Sequence, residues 1–461
     1  MNRPNVVLLT IDTLRADRLA CYGHNAHLTP NIDRLSHSGI RFDQAISGGS
    51  WTQAAFPVIL TSSYAAMYGG CLGRLAPERP SPIETLAAHG YSTGGFSTNP
   101  HLSRATGYAR GFQHFCELIP AEADPRLRNV KGGQRLLRNP LFHYGLSLFA
   151  RRMRPARLYS SAADVANSVC RWLDYVGTPF FAWVHYMDLH WPYHLEEALV
   201  HPGEIAQAWQ DLGIMYGRAN FDGRSERDKP ITAAQRDHFI GLYEKSLQYL
   251  DDQIGRLIHH IQNSSQADNT IILLAADHGE EFLDHGRWGH WESNLFDEIL
   301  RVPLIMWIPG GPHGQVIRQQ VRLLDLMPTI LDLCGFPVSE SDGFMGTSMA
   351  SLLARSESKY DGEETISEMR RDPWHRIAVR TESFKYIWDN KRPDQPELYD
   401  LRRDPGEKQN VRDHFPQEIS RFQASVDAHL LRVAATEPEV AVPQLKLDDE
   451  VARRLRDLGY L

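Results

Sequence analysis

Three apolar runs that each end in metal-binding residue types place the strongest constraint on the fold. The runs cover residues 6–11, 179–186 and 271–276, and they are long enough and apolar enough for strands buried on both faces of a parallel sheet. Ligand sites in open α/β sheets lie at the carboxyl ends of the strands, so the polar residues found there are candidates for chemistry. These residues are Asp12 after the first run, His185, Asp188 and His190 at the end of the second, and Asp277 and His278 after the third.

Segments with helical periodicity alternate with these runs. "TPNIDRLSHSG" has a Thr-Pro start and a glycine stop, and "DHFIGLYEKSLQYLDDQIGRLIHHIQN" has apolar residues at helical spacing. Alternation on this scale predicts an α/β fold with a doubly wound, mostly parallel sheet over residues 1–345. After about residue 345 a short hairpin, a tight turn and a helix near 416–434 predict a smaller C-terminal α+β subdomain over residues 346–461.

Composition is that of an ordinary globular protein and excludes several classes. The 461 residues are 42% hydrophobic and 23% charged, and no apolar run approaches the roughly eighteen residues of a membrane helix. A net charge of −8 argues against nucleic acid as a general partner. The five cysteines are scattered without CxxC spacing, and the first residues do not read as a secretory leader, so we expect reduced thiols in a cytoplasmic protein.

One segment, residues 126–157, carries nine Lys or Arg and no Asp or Glu, interleaved with leucine and phenylalanine. Two interpretations involve an anionic partner: contact with a membrane surface, or a lid that guides an anionic substrate. A solvated insertion with a few buried leucines explains the pattern equally well. Liposome co-sedimentation with and without this segment separates the membrane interpretation from the others.

The strand-end residues also suggest a reaction. Asp277 and His278 at one strand end can face a single cation while Gly279 lets the backbone turn away, and Asp12 ends a second strand. The loop "SGGSWTQAAFP" adds the hydroxyl of Thr52. Two carboxylates, an imidazole and a hydroxyl form the set with which a phosphate or sulfate ester hydrolase binds a metal and activates an oxygen nucleophile.

Ordered motifs over nearly the whole chain, apart from the basic segment, resemble the sulfatase family of the alkaline phosphatase superfamily. They are "NVVLLTIDTLRADRLACYG", "LTPNIDRLSHSGIRFDQA", "FSTNPHLSRATGYARGFQHF", "VHYMDLHWPY", "ADHGEEFLDHGRWGH", "NLFDEILRVPLI", "LLDLMPTILDLCG" and "ELYDLRRDPGE". The resemblance implies an alkaline-phosphatase-like fold. It implies that Asp12, Asp277, His278 and Thr52 bind the metal and that Thr52 is the nucleophile.

The resemblance also assigns residues around the ester. His190 and His290 resemble the histidines that contact the ester group or protonate the leaving oxygen, and His185 is a further candidate in the substrate pocket. Asn99 in "STNPHLS" is a candidate for substrate binding, with an Asn-Pro turn as the alternative. With 21 histidines in the chain, packing or surface exposure is the competing interpretation for each of them.

The chain departs from the family pattern at the nucleophile. Where sulfatases carry a Cys or Ser that is converted to formylglycine, this chain has Thr52, which cannot yield that aldehyde. Phe56 stands where the supporting arginine is expected, and Thr13 replaces the second acid of the usual Asp-Asp pair. The lysine usually found before "LYE" is absent as well.

These departures favour one reaction and leave two alternatives. A Thr52 ester must be cleared by attack of water or an alcohol on the central atom, which places phosphate esters ahead of sulfate esters. The imidazole of His278 favours one Mn²⁺ or Zn²⁺ ion, with Ca²⁺ and Mg²⁺ as alternatives. The predicted function is therefore a metal-dependent hydrolase of an anionic small-molecule ester. The alternatives are a phosphoryl-type transferase acting on an acceptor alcohol, and a catalytically inactive relative that binds an anion.

Overall fold

The computed structural model describes most of the chain, and the basic segment 126–157 lies outside the described residues. The described residues are 3–70, 74–118, 159–191, 193–195, 198–218, 231–290, 294–339, 342–353, 360, 362, 364–371 and 373–438.

In the described part of the chain the strands form one large sheet, one small sheet and one short hairpin. Their bounds are β1 Asn5–Ile11, β2 Ile40–Ile46, β3 Ser92–Ser97, β4 His114–Glu117, β5 Phe180–Tyr186, β6 Thr270–Ala276, β7 Glu281–Phe282, β8 Trp288–Gly289, β9 Arg301–Trp307, β10 Gln315–Arg322, β11 Thr365–Arg371, β12 Trp374–Arg380, β13 Phe384–Asp389 and β14 Glu397–Asp400.

The large sheet has eight strands in the order β10-β2-β9-β6-β1-β5-β3-β4. Among the strands described in this sheet only β9 runs antiparallel to its neighbours, so the prediction of a mostly parallel sheet is confirmed. The three predicted strands are adjacent, with β1 between β5 and β6. Every residue of these three strands is buried, as the continuous apolar runs predicted.

The described residues contain ten α-helices, and six of them form two packed groups. Their bounds are α1 Pro30–His37, α2 Thr52–Thr61, α3 Pro82–Ala88, α4 Ala162–Leu173, α5 Pro202–Arg218, α6 Ala233–Gln262, α7 Asp297–Leu300, α8 Leu326–Leu333, α9 Ala350–Leu353 and α10 Pro416–Ala435. Helices α1 and α4 pack against α6, whereas α2 and α3 pack against α8. The predicted helices correspond to α1, α6 and α10. Helix α6 begins with a capping box in which Thr232 and Gln235 satisfy each other's backbone N–H groups.

The C-terminal region contains a four-stranded antiparallel sheet in the order β11-β12-β13-β14, with α10 packed on β12 and β13. The predicted hairpin is β12 and β13. The apolar core of the C-terminal region includes residues from the large sheet's side of the molecule. Val58 of α2 and Leu324 pack in the same cluster as Ile366 and Phe422. Among the described residues no helix has both the length and the apolar character needed to cross a membrane.

Candidate metal centre and active site

Asp12 and Asp277 lie side by side because the strands before them end level. Ile11 of β1 pairs with Ala276 of β6, so the next residue of each strand emerges at the same edge of the sheet. The backbone N–H of Asp12 donates to the carbonyl of Tyr186 at 2.9 Å, which fixes β5 beside the same edge. Both carboxylates are completely buried. The strand ends therefore form one buried acidic site, as the sequence predicted.

Thr52 faces this site from the first turn of α2. Its Oγ1 donates to Asp12 Oδ2 at 3.1 Å and lies 3.5 Å from His278 Nε2. The loop before the helix is held by Ser47, whose hydroxyl donates to the carbonyl of Asp277 at 2.5 Å. The nucleophile candidate is thus hydrogen-bonded directly to Asp12, and the loop before it is hydrogen-bonded to the backbone of Asp277.

Glycine is required in that loop because the helix lies directly against it. A Cβ at Gly48 would stand 2.5 Å from Val58 Cγ2, and a Cβ at Gly49 would stand 2.4 Å from the Cβ of Ala54. Neither separation is compatible with ordinary packing. The two glycines therefore allow the loop to close onto α2 and to place the start of the helix at the site.

The residues present fit a divalent cation. Asp12 Oδ1, Asp277 Oδ2 and His185 Nε2 are buried and have no hydrogen-bond partner among the described residues. Asp12, His185 and Asp277 each offer a ligand atom within 4.8 Å of the others. His278 Nε2 lies 3.5 Å from Asp277 Oδ2 and 4.0 Å from Asp12 Oδ1. Buried ligand atoms left without partners are costly unless an ion satisfies them.

The electrostatics agree with that fit. Burial, together with the negative charge of Asp12, raises the pKa of Asp277 well above its ordinary value. Burial also acts to raise the pKa of Asp12, but His185, His190 and His278 hold it below the usual range. Two adjacent carboxylates therefore oppose each other's ionisation in the protein alone, and a divalent cation would stabilise both as anions.

His190 and His290 lie together on another side of Asp12. Their ring centroids are 5.0 Å apart, and the ring of His290 lies 4.6 Å from that of His278. His190 Nδ1 is 2.7 Å from the carbonyl of Trp191, which fixes the orientation of its ring. Asp12, His190 and His290 also each offer a ligand atom within 4.8 Å of the others. The structure thus brings both predicted histidines to the site.

Glu280 and Tyr193 belong to this site, although the sequence analysis assigned neither. Glu280 Oε1 lies 3.0 Å from His290 Nδ1, and the Tyr193 hydroxyl donates to Glu280 Oε2 at 2.9 Å. Glu280 follows His278 by two residues, so its presence in "DHGEEF" was the available signal. Tyr193 gave no such signal, because its contact spans 87 residues of sequence.

Burial sets the protonation states in this cluster. It raises the pKa of Glu280 to about 7, and the Tyr193 hydrogen bond opposes that rise. Burial lowers the pKa of His190 and His290, and it lowers the pKa of His278 to about 4. Neutral imidazoles suit metal binding and proton acceptance at neutral pH.

The two residues predicted to bind substrate lie at different places. His185 is within β5 and its Nε2 points at Asp12 Oδ2, 3.7 Å away. Asn99 lies in the loop after β3, where its Oδ1 accepts from the backbone N–H of His101 at 2.9 Å. That hydrogen bond belongs to the turn that was the alternative interpretation of Asn99. Its contact with substrate stays a prediction.

Comparison with known proteins identifies the family of this chain. The profile of the family described as Sulfatase matches residues 4–336, and the profile of "N-sulphoglucosamine sulphohydrolase, C-terminal" matches residues 286–435. The chain therefore belongs to the sulfatase family and is an ester hydrolase of that superfamily. The family generally uses a divalent metal.

Relatives and solved structures extend along almost the full chain. An arylsulfatase of Clostridium perfringens is 24% identical over 450 residues, covering 89% of this chain and 90% of its own. The phosphonate monoester hydrolase of Agrobacterium radiobacter superposes with a TM-score of 0.69 at 21% identity, covering 94% of this chain and 96% of its own. A structure in complex with its substrate D-glucosamine-2-N,6-O-disulfate has a TM-score of 0.69 at 17% identity, covering 95% and 99%. These structural similarities establish the fold.

Proposed function

We propose that this protein is a metal-dependent hydrolase of an anionic ester in which the Thr52 hydroxyl, without formylglycine, is the nucleophile. The hydrogen bond from Thr52 Oγ1 to Asp12 at 3.1 Å, beside His278, carries the proposal. The position at the N-terminus of α2 adds support, because the helix dipole favours an anionic group there. We place phosphate esters ahead of sulfate esters, since a threonine ester cannot release its group by reverting to an aldehyde as a formylglycine ester does. It must be cleared by attack on the central atom.

Asp12, Asp277, His278 and Thr52 would hold the divalent cation. When bound, such an ion lowers the pKa of a neighbouring hydroxyl and neutralises ester oxygens. The nitrogen ligand of His278 favours Mn²⁺ or Zn²⁺ over Ca²⁺. The fully buried positions of Asp12 and Asp277 exclude water from one side of the ester and strengthen every charge interaction in the site.

The reaction has two displacement steps. Thr52 Oγ1 bonds to phosphorus while its proton passes along its hydrogen bond to the Asp12 carboxylate, and the bond from phosphorus to the alcohol oxygen breaks. His190 or His290, in its protonated form, donates the proton that makes the departing oxygen a neutral alcohol. Water then attacks the phosphorus of the Thr52 ester and gives one proton to the imidazole that has lost its own. The proton held by Asp12 returns to Thr52 Oγ1, phosphate is released and the hydroxyl is restored. Glu280 is a positioning residue, because its carboxylate accepts from His290 Nδ1 and supports a positive charge on that ring.

Replacing Thr52 by Ala tests the nucleophile. We expect turnover to fall by at least a thousandfold while metal binding is largely retained, because Asp12, Asp277 and His278 remain. Thr52→Ser, which keeps the hydroxyl, is the matched variant and should retain measurable turnover. The measurement is initial rates on aryl sulfates, phosphate monoesters, phosphate diesters and phosphonate esters with metal-reconstituted protein.

Three results would contradict the proposal. Undiminished activity of Thr52→Ala removes Thr52 from the role of nucleophile. Activity of the unaltered protein on sulfates alone overturns the preference for phosphorus. No activity on any ester, with an anion still bound, would support the inactive relative instead.

A further inference from the structure

The second acid of the family's Asp-Asp pair has no counterpart in this chain, and the side chain found at that position carries no charge. Thr13 stands at that position with a left-handed backbone (φ 57°), and its buried Oγ1 has no hydrogen-bond partner among the described residues. A neutral hydroxyl is a weaker ligand than a carboxylate. The site therefore needs another donor if it is to bind an ion as its relatives do.

His185 lies where that donor is needed. It stands on β5 opposite Thr10 of β1, and its side chain is completely buried. Nε2 lies 3.7 Å from Asp12 Oδ2 and has no hydrogen-bond partner among the described residues. That separation is too long for a hydrogen bond. Two ligand atoms that each lie about 2.1 Å from one ion are about 3 to 4 Å apart, so the separation fits two ligands of a single cation.

The other ring nitrogen is held by Thr10. The Thr10 Oγ1 atom lies 3.1 Å from His185 Nδ1, accepts from the indole N–H of Trp183 at 3.0 Å, and reaches the carbonyl of Val184 at 3.3 Å. With the single hydroxyl proton directed to that carbonyl, Oγ1 accepts from Nδ1–H as well. In the neutral ring Nε2 then carries the lone pair and directs it at Asp12, which is the arrangement of a metal-binding histidine with a second hydrogen bond behind it.

Aromatic packing fixes the ring in this orientation. Phe56 contacts the imidazole edge-on with a centroid separation of 4.8 Å, and Trp183 stacks on it at 6.2 Å. Phe56 occupies the position of the family's arginine. A phenyl ring at that position places no positive charge behind His185, so nothing there opposes binding of a cation in front of it.

We propose that His185 is a metal ligand of this protein, donating through Nε2 beside Asp12 and Asp277 in place of the missing acid. The inference rests on the metal-dependent hydrolase proposed above. It changes the assignment of His185 from the substrate pocket to the metal centre. It also adds a second nitrogen donor to the set, which moves the preference of the site further toward Zn²⁺ or Mn²⁺.

Metal binding to the metal-free full chain tests the proposal without relying on turnover. We expect His185→Ala to weaken Zn²⁺ binding at least tenfold by calorimetric titration and to alter the visible absorption of bound Co²⁺. His429→Ala, which removes an equally buried histidine far from the site in sequence, should change neither. Thermal unfolding of each metal-free variant reports whether the fold survives.

His185→Gln keeps the test decisive if the alanine variant does not fold. An amide oxygen in place of the ring nitrogen should lower the ratio of Zn²⁺ to Mg²⁺ affinity at least tenfold, because oxygen donors favour the harder ion. Zn²⁺ affinity and a Co²⁺ spectrum unchanged by both substitutions would overturn the proposal.

The nucleophile is judged separately. Thr52→Ala should keep most of the Co²⁺ absorption that His185→Ala alters. If turnover proves independent of Thr52, the proposed function fails while the metal titrations still decide the role of His185. If turnover depends on Thr52 and the titrations show no effect of His185, only the ligand assignment fails.

Discussion

Tyr193 acts on a predicted catalytic histidine through one intermediate side chain. Its hydroxyl donates to Glu280, which in turn lies against His290 Nδ1. Glu280 is completely buried, and this hydrogen bond favours its ionised form, as do the charges of His190 and His278. The ability of His290 to carry a proton therefore depends on a phenol that does not itself face the nucleophile.

Replacing Tyr193 by Phe should move the pH dependence of turnover. Removal of the hydrogen bond raises the pKa of Glu280 above its value of about 7, so a higher pH is needed to ionise it. We expect the acid limb of kcat to shift upward by about one pH unit, the size expected from a hydrogen bond to a charged group.

The control for that measurement is Tyr386→Phe, which removes a hydroxyl bonded to Gln423 in the C-terminal region. Its pH profile should match that of the unaltered protein. A Tyr193→Phe profile that also matches would show that Glu280 does not support the protonated form of His290 during turnover.

Single residues were predictable from the sequence when their position depended on a strand end. Asp12, Asp277 and His278 follow continuous apolar runs, and the parallel register brings such ends together. Tyr193 and the direction of the His185 ring depend on side-chain contacts between distant segments. No periodicity in the sequence encodes those contacts.

At the scale of elements, α2 and the loop before it determine the position of Thr52. Hydrogen bonds hold the loop on two sides. On one side the Ser47 hydroxyl donates to the carbonyl of Asp277. On the other side β11 supplies two donors: the Ser367 hydroxyl donates to the Ser47 carbonyl at 2.6 Å, and the Glu368 N–H donates to the Gly48 carbonyl at 2.9 Å. The sequence placed Thr52 in a Gly/Ser-rich loop. It did not reveal β11, whose partners are set only by tertiary structure.

Gly49→Ala should displace this loop. The added Cβ would meet Ala54 at 2.4 Å within the first turn of α2, so we expect a loss of about 1 to 3 kcal/mol in the free energy of unfolding together with a lower kcat. Gly241→Ala is the control, because no neighbouring atom lies within 4 Å of its Cβ position in α6, and it should raise stability by up to about 1 kcal/mol. Urea denaturation and initial rates measure both effects. Equal unfolding free energies and equal kcat values for the two variants would show that the close contact between Gly49 and Ala54 does not require glycine.

At the scale of the whole molecule, Glu368 joins the C-terminal sheet, α10 and the large domain. One carboxylate oxygen lies 2.9 Å from His429 Nε2 and 3.2 Å from His375 Nε2, and the other accepts from the backbone N–H of Ala66 at 2.6 Å. Burial acts to raise the pKa of Glu368, but His429 and His375 hold it well below its ordinary value. The carboxylate is therefore bound more favourably in the folded than in the unfolded chain.

This linkage predicts how stability depends on acid. Because the folded-state pKa is lowered, the contribution of Glu368 is present above the unfolded value of about 4.5 and is lost as the pH falls below it. We expect Glu368→Gln to be less stable at neutral pH by about 1 to 3 kcal/mol, and its unfolding free energy to change less on acidification. Chemical denaturation at pH 7 and pH 4 measures the difference.

Glu364→Gln is the matched control, since that carboxylate is partly exposed and is bonded to Arg421 and Ser425. We expect the free energy of unfolding of this variant to differ from that of the unaltered protein by no more than about 1 kcal/mol at both pH values. An acid dependence of Glu368→Gln equal to that of the unaltered protein would show that the buried carboxylate does not contribute in this way.

The contact of β11 with the loop before Thr52 has a consequence for how this chain can be divided. A boundary near residue 345 separates two sheets, but the hydroxyl of Ser367 and the amide of Glu368 that hold the nucleophile loop belong to the far side of that boundary. A gene fragment that ends there would encode every proposed metal ligand and the nucleophile itself. It would still lack two of the hydrogen bonds that position the loop before that nucleophile. A gene that encodes the complete active site must therefore encode the second sheet as well.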